Sequence, residues 1–182
     1  MANDEYFNRM YTEKGAITSD KNGTRIFHST KVMEDPYLLD RTAFELMWEL
    51  LKCGCDLSRI TKVVGVGKKS ELLASGIARH ISENNDDTVL GVFTEESKDS
   101  QGRNTMVFTS TSVQAGDCVV LCTDEITLCT DTLHTAQAVE EKGAFLLPYV
   151  SAIVNCTKTA KLMEIEIVSI LHGSLKEPLI QN

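Results

Sequence analysis

Two adjacent acidic residues, Asp124 and Glu125, follow an apolar run at residues 118–122 that is short and β-branched enough for a buried strand. A hydroxyl-rich segment at 123–132 comes next, and a helical pattern then ends at Lys142 and Gly143. This order of strand, polar loop and helix places backbone N–H groups at the carboxyl edge of a parallel sheet, where they suit a phosphate or another anion. Residues 117–144 therefore predict an anion-binding loop, with an ordinary strand–helix connection as the alternative.

A second strand–loop–helix pattern carries two lysines. Residues 62–66 predict a buried strand, the loop 67–70 holds Lys68 and Lys69, and a helix follows to about residue 80. The formal charge of −8 and the pI near 5.0 argue against broad binding to nucleic acids or acidic membranes. A small anionic ligand stays compatible with this charge, because a few lysines can dominate one cleft.

Length and composition predict one soluble domain. The chain has 182 residues, 42% hydrophobic and 24% charged. No apolar run approaches the length of a transmembrane helix, and the first ten residues lack a signal-peptide core, so we expect a cytoplasmic protein. The six cysteines are expected to be reduced structural thiols, with a redox or metal role as the alternative, and the four histidines form no ligand pair by spacing.

The remaining elements are predicted from hydrophobic periodicity and turn signals. Asp35 and Pro36 predict the start of a strongly amphipathic helix, as its N-cap and first residue. The polar segment 94–104 has no apolar anchor and predicts a loop without regular structure. The other predictions are a helix at 3–14, two short strands within 16–32, and strands at 89–93, 105–111, 146–154 and, near the sheet edge, 162–171. This order predicts an α/β fold with a mostly parallel sheet flanked by helices.

In their order and separation these motifs resemble the type I phosphoribosyltransferases, and within them most closely the orotate phosphoribosyltransferases. The resemblance runs from about residue 13 to 175. It implies a single Rossmann-like domain over 1–182, with a core at about 36–160. A small hood subdomain would come from about 1–35 and 161–182.

The resemblance makes 123–132 the loop that binds phosphoribosyl diphosphate (PRPP). Asp124 would stand in the second acidic place, would bind the ribose hydroxyls and would face the Mg²⁺ that accompanies PRPP. Glu125, Thr127 and Thr130 would contribute to substrate binding, and backbone amides of the loop would hold the 5′-phosphate. Asp131 adds a negative charge there, and one such contact at about 4 Å costs about 4 kcal/mol at an effective dielectric constant of about 20.

The resemblance also assigns the lysines. Lys69, with Lys68 beside it, would contact the diphosphate, and Lys21 would contact the substrate from the turn at 21–25. The segment 94–104 would be the mobile hood loop, with Lys98 as its catalytic cation.

Several positions depart from the family pattern. Cys129 stands at a glycine position of the PRPP loop. Thr94 and Glu95 occupy the places of an arginine and a lysine in the hood loop. Cys156 stands where the orotate enzymes have the arginine that pairs with the orotate carboxylate.

The sequence leaves three functions open. The first is PRPP-dependent transfer of phosphoribose to a nucleobase in nucleotide metabolism, on the orotate or pyrimidine pattern, by a homodimer that uses Mg²⁺. The second is a catalytically inactive homologue that binds a nucleotide-like anion as a sensor or regulatory partner. The third is a purely structural role for the fold.

Overall fold

The computed structural model describes residues 2–109 and 112–173. Its helices are α1 (Ala2–Glu13), α2 (Ser29–Glu34), α3 (Pro36–Lys52), α4 (Glu71–Asn85) and α5 (Thr130–Glu141). Its strands are β1 (Ile17–Ser19), β2 (Arg25–Phe27), β3 (Lys62–Gly65), β4 (Leu90–Phe93), β5 (Glu95–Lys98), β6 (Asn104–Val107), β7 (Cys118–Ile126), β8 (Phe145–Asn155), β9 (Lys161–Leu162) and β10 (Ile165–His172). Short 3-10 turns lie at Leu57–Arg59 and Lys68–Ser70.

A six-stranded sheet in the order β4-β3-β7-β8-β10-β9 forms the centre of the molecule. All neighbouring pairs are parallel except β10 with the two-residue edge strand β9. Two small antiparallel sheets, β1-β2 and β5-β6, complete the strands. The predicted α/β fold with a mostly parallel sheet and flanking helices is confirmed.

Helices cover both faces of this sheet, which explains why its strands are apolar without alternation. Val63 faces a core shared with α1, α3 and α4, whereas the next residue, Val64, faces a core shared with α5. Hydrophobic residues along the whole of β3 and the first half of β7 are consequently buried. No helix in the described ranges is both long and apolar enough to cross a membrane.

The predicted caps of α3 and α5 are confirmed. The side chain of Asp35 accepts hydrogen bonds from the backbone N–H groups of Tyr37 and Leu38, and Pro36 is the first residue of α3. Gly143, just beyond the end of α5, has a φ of 72°, a conformation that an L side chain rarely adopts.

Two local predictions at the carboxyl edge are wrong. The polar turn does not begin at Thr123, because β7 continues through Ile126 and buries both Thr123 and Asp124. The segment 94–104 is not without regular structure, because β5 and β6 form an antiparallel hairpin in register. Met106 in this hairpin is buried, and β6 packs against α5.

Two other predicted boundaries shift. Helix α4 runs beyond His80 to Asn85. The late strand at 162–171 is interrupted by a turn at Met163, and its larger part, β10, pairs in parallel with β8. Strand β10, which falls within the range 161–182, therefore lies in the central sheet. Helix α1 packs through Phe7 and Tyr11 into the hydrophobic core that β10 also contacts.

Candidate functional site

The five parallel strands of the central sheet end at one edge, and predicted site residues lie at the ends of β3 and β7. Gly65, which ends β3, is in register with Phe93 on one side and Cys122 on the other. Farther along, Ile126 of β7 pairs with Asn155 of β8. The lysine loop, the acidic pair and the start of α5 therefore meet at the carboxyl edge, where open α/β sheets bind ligands.

Asp124 is the most enclosed carboxylate at this edge. Its side chain is only 3% exposed, and its Oδ1 accepts hydrogen bonds from the backbone N–H of Glu125 at 3.0 Å and from the hydroxyl of Thr123 at 3.2 Å. The ammonium group of Lys69 lies 3.2 Å from the same oxygen. The structure thus brings together two residues that the sequence analysis assigned to different parts of one ligand.

The loop that carries the lysines is held by close backbone packing and hydroxyl groups. A Cβ on Gly65 would lie 2.9 Å from the carbonyl oxygen of Ser70, so this position has no room for a side chain. Gly67 adopts a φ of 76° and donates its N–H to the hydroxyl of Thr94 at 3.2 Å. The Ser70 hydroxyl donates to the Val66 carbonyl at 3.1 Å and closes the turn.

Thr94 has a role that the sequence analysis missed. It is fully buried at the end of β4, and its hydroxyl lies 3.0 Å from that of Thr135 on α5. Its backbone N–H donates to the carbonyl of Gly65 at 3.1 Å. Thr94 therefore links the lysine loop to α5. Its position directly after a predicted buried strand was the one available signal.

The lysine loop faces acidic residues across a small cleft. The cleft has a volume of about 410 Å³ and is lined by Gly67, Lys68, Lys69, Glu95 and Glu96. Both lysines are exposed, and both glutamates come from the first strand of the hairpin. The cleft thus mixes two cations with two carboxylates, so its lining alone is close to neutral.

The N-terminus of α5 presents its polar residues to solvent. Thr127, Thr130 and Asp131 are all exposed, and Cys129 is the N-cap with a φ of −70°. None of the residues 127–131 has a positive φ, so this loop does not need the conformational freedom of glycine. Because Asp131 is exposed, water screens its charge, and the 4 kcal/mol penalty inferred from the sequence is too large.

Glu125 and Cys156 form a contact where an orotate-type arginine was expected. The thiol of Cys156 donates to a carboxylate oxygen of Glu125 at 3.2 Å, and its backbone N–H donates to the carbonyl of Ile126 at 3.0 Å. This corner of the edge therefore offers a thiol and a carboxylate. Neither group attracts a carboxylate ligand.

The other two predicted lysines lie on separate hairpins. Lys21 is exposed in the turn between β1 and β2. Lys98 is exposed at the end of β5, next to a turn in which hydrogen bonds from the backbone and side chain of Arg103 hold the pKa of Asp99 below its usual value. Within the described ranges, no hydrogen bond or ion pair connects Lys21 or Lys98 to Asp124.

The residues at this edge do not fit a metal site built by the protein. The described ranges contain no group of three or more His, Cys, Asp or Glu side chains that could hold a metal ion. Three donors already converge on Oδ1 of Asp124. A Mg²⁺ ion here would have to arrive on the oxygens of its ligand.

The cysteines are spread over the fold as free thiols. Cys55, Cys118 and Cys122 are buried, and Cys53 is exposed. Burial raises the pKa of the Cys55 thiol to about 11 and raises that of Cys122 further. Such thiols are protonated and unreactive at neutral pH, which favours the structural role.

Comparison with known proteins finds the same fold in solved structures. No family model and no curated protein matches this chain. An adenine phosphoribosyltransferase from Rhodothermus marinus is similar over 94% of this chain and 98% of its own, at 20% identity and a TM-score of 0.62. An orotate phosphoribosyltransferase from Aeropyrum pernix is similar over 90% and 92%, at 18% identity and a TM-score of 0.65.

An adenine phosphoribosyltransferase from Saccharomyces cerevisiae, in complex with an imino-altritol bisphosphate and adenine, has a TM-score of 0.69. It covers 93% of this chain and 99% of its own, at 13% identity. The chain therefore has the type I phosphoribosyltransferase fold, and the expected resemblance is confirmed at the level of the fold.

Proposed function

We propose that the chain binds PRPP at the carboxyl edge of its sheet and transfers the 5-phosphoribosyl group to a nucleobase. The observation that carries this proposal is the 3.2 Å ion pair between Lys69 and Asp124. These are the two groups that would hold the diphosphate and the ribose, and a PRPP molecule spans that short separation. The fold shared with adenine and orotate phosphoribosyltransferases supports the same assignment.

Each end of PRPP has a defined set of partners in this proposal. Lys68 and Lys69 bind the diphosphate from the loop after β3, and Asp124 accepts hydrogen bonds from the ribose hydroxyls. Thr127 and Thr130, with the backbone N–H groups at the start of α5, hold the 5′-phosphate. Glu125 lies beside Asp124 and adds negative charge near C1′.

The reaction exchanges one bond at C1′ for another. The bond from C1′ to pyrophosphate breaks, and its electron pair leaves on the pyrophosphate oxygen. A ring nitrogen of the base forms the new bond with its lone pair, and its proton passes to water. Mg²⁺ bound to PRPP would neutralise part of the diphosphate charge, and Asp124 would be the side chain that faces it.

Slow turnover is part of the proposal. The departing pyrophosphate gains negative charge, which cations stabilise in the transition state. Here Lys98 is the proposed catalytic cation of the hairpin, whereas Glu95 and Glu96 line the cleft beside the lysines. These carboxylates oppose the developing charge and lower the rate.

The proposed acceptor is a neutral base such as adenine rather than orotate. The contact between Cys156 and Glu125 supports this choice, because an orotate carboxylate would meet a carboxylate instead of an arginine. Similar solved structures include proteins described as adenine phosphoribosyltransferases. Lys21 is the proposed base contact from the N-terminal turn. The proposal places the protein in cytoplasmic nucleotide metabolism as a homodimer.

Binding without transfer is a second candidate function. The two carboxylates of the cleft favour it, because Glu95 and Glu96 oppose the departure of pyrophosphate but do not prevent a nucleoside monophosphate from binding. In this case the chain would report on nucleotide concentration as a sensor or regulatory partner.

Two measurements separate these functions. Isothermal titration with PRPP and Mg²⁺ tests binding, and a pyrophosphate-release assay with adenine or orotate tests transfer. If PRPP binds and pyrophosphate is released only when adenine is present, the first proposal is supported. If PRPP or a nucleoside monophosphate binds but no base causes the release of pyrophosphate, the second candidate function is supported. The absence of heat with either ligand at millimolar concentration would contradict both.

A further inference from the structure

A groove with a volume of about 470 Å³ lies beside α5. Its walls are α5 itself, the first residues of β8 and the turn between β9 and β10. Six of its nine lining residues are apolar: Leu133, Ala136, Leu146, Pro148, Met163 and Ile165. The residues from β8 and β10 lie at the amino ends of these strands, whereas the proposed PRPP site lies at the carboxyl ends. We call this second site the α5 groove.

The backbone of β8 gives the α5 groove its shape. Val119 of β7 pairs with Leu146 of β8, and the next pair in the ladder joins Leu121 to Val150. Three residues of β8 therefore stand opposite one residue of β7, which makes this part of the strand a β-bulge. Pro148 lies in the bulge, where its lack of an N–H group is tolerated. The groove is thus built into the sheet by a backbone irregularity.

Met163 lines the groove in a backbone conformation that is unfavourable for its residue type. Met163 and Glu164 are the two turn residues of the β9–β10 hairpin, because Leu162 pairs with Ile165. Of the two, only Met163 has a positive φ, of 53°, and turns with this pattern prefer glycine at that position. The side chain recovers little by burial, since it is 80% exposed. Strained residues of this kind cluster at ligand sites, and methionine adapts readily to an apolar partner.

The charged residues of the α5 groove are both acidic. Glu140 of α5 and Glu164 of the β9–β10 turn are exposed, and neither forms an ion pair with another described residue. No lysine or arginine of the described ranges lines the groove. An anionic ligand would therefore be repelled here, whereas a ligand with a cationic group would be attracted to the two carboxylates.

We propose that the α5 groove binds a small molecule with an apolar or aromatic body and one ammonium group. The body lies against the apolar residues and Met163, and the ammonium group lies near Glu140 and Glu164. Small-ligand pockets have volumes of about 300–1,000 Å³ and combine a mainly apolar lining with a few polar groups, as this groove does. The two sites of the chain then bind ligands of opposite charge, and this proposal does not depend on phosphoribosyl transfer.

Three probes of the same length separate the contributions of shape and charge. Phenylbutylamine should bind with a dissociation constant of about 1 mM, which is typical of so small a ligand. The neutral phenylbutanol should bind about threefold to tenfold more weakly, because it lacks the attraction to two exposed carboxylates. The anionic phenylbutyrate should bind more weakly still.

Nuclear magnetic resonance of labelled methionine methyl groups measures this binding at the groove itself. The chain has six methionines, and the signal of Met163 is identified by its loss in Met163→Leu. Titration with phenylbutylamine should shift the Met163 signal. The signal of Met47, which is buried between α3 and the other face of the sheet, is the internal control and should not move.

Paired variants test the two halves of the recognition. Glu164→Gln should weaken phenylbutylamine about threefold without affecting phenylbutanol, and Glu34→Gln, at an exposed position on α2, is its control. Leu133→Ser should weaken both probes at least about fivefold, because both use the apolar lining. Leu72→Ser, on α4 at the other face of the sheet, is the matched control and should leave both affinities unchanged.

Met163→Gly separates binding from stability. Glycine relieves the strain of the positive φ, so the midpoint of thermal unfolding should rise. The same variant loses the methionine side chain and should weaken both probes at least about threefold. A rise in stability together with a loss of affinity is the result expected of a residue that serves the ligand and not the fold.

Circular dichroism verifies that each variant is folded. A Met163 signal that stays unchanged at about 20 mM phenylbutylamine would overturn the proposal, since the expected dissociation constant is far lower. Phenylbutanol binding as tightly as phenylbutylamine would refute the assignment of a cationic ligand. Equal effects of Leu133→Ser and Leu72→Ser would show that the probes bind elsewhere and would also overturn it.

Discussion

Replacement of Asp124 by asparagine should affect two parts of PRPP in opposite directions. The asparagine keeps the size of the side chain, and its oxygen can still accept from the N–H of Glu125. It removes the negative charge that holds Lys69 at 3.2 Å. Asp124 then no longer competes with the diphosphate for Lys69. The ribose hydroxyls, in turn, lose an ionised hydrogen-bond acceptor.

The magnitudes follow from the exposure of the two partners. The Lys69 side chain is 57% exposed, so its ion pair with the buried Asp124 is worth about 1 kcal/mol, the upper end for surface pairs. Asp124→Asn should accordingly tighten the binding of free pyrophosphate about fivefold. A hydrogen bond to a charged group is worth about 1.5–3 kcal/mol, so the same change should weaken PRPP about tenfold after the gain at Lys69 is included.

Calorimetric titration of both ligands measures these shifts. Lys69→Met should weaken pyrophosphate binding, and in this background Asp124→Asn should no longer improve it. Glu140→Gln removes one carboxylate from the last turn of α5 and is the matched control for the change in net charge. The reasoning is refuted if Asp124→Asn leaves pyrophosphate affinity unchanged, or if it shifts pyrophosphate and PRPP in the same direction.

Three further predictions concern the neighbouring loop, the phosphate end and the core. Asp131→Asn should increase the affinity for phosphate ligands about fourfold to tenfold in calorimetry. Its exposed carboxylate repels these ligands, but the solvent screens part of this repulsion. Gly65→Ala should lower the free energy of unfolding by about 1–3 kcal/mol and abolish pyrophosphate binding, since its Cβ would collide with the Ser70 carbonyl. Tyr11→Phe should lower the free energy of unfolding by about 1–2 kcal/mol, because the Thr42 hydroxyl loses a buried partner at 2.7 Å. Burial raises the pKa of Tyr11 above its ordinary 10.0, so its contribution is complete below pH 10 and falls as the unfolded chain ionises at higher pH.

Each of these predictions has a matched control and a contradicting outcome. Glu140→Gln again controls for charge, and an Asp131→Asn effect of several hundredfold would mean that the carboxylate is not screened. Gly116→Ala has a strained backbone but open space around its Cβ, so it should affect stability without affecting pyrophosphate binding. Tyr37→Phe alters an exposed phenol and should change stability little, and an equal loss for both tyrosine variants would contradict the role of Thr42.

Features that depend on residues close together in the chain could be predicted from the sequence. The start of α3 at Asp35 and Pro36 is one of them, because the capping carboxylate binds N–H groups two and three residues away. The end of α5 before Gly143 is another, because the positive φ is a property of that one residue. The strands of the central sheet were visible for a similar reason, since burial on both faces leaves a continuous apolar run.

The sequence misled us where polar residues acquire partners from distant segments. Thr123 and Asp124 suggested a turn, yet they lie buried in β7 because Lys69 and the strand end of β8 stand beside them. The polar hairpin of β5 and β6 is ordered because Met106 is buried and β6 packs on α5. None of these partners is near in sequence.

Helix α3 shows the same division. Its apolar periodicity can be recognised in the sequence, but a single helix with apolar residues on two faces does not reveal which face is covered. The sheet and α4 decide this by packing on Leu46 and Leu50. The sequence by itself thus determined the order of elements and the residue types that reach the carboxyl edge. Only the tertiary structure decided that Lys69 pairs with Asp124, because that pairing depends on the register of β3 against β7 and not on any local pattern.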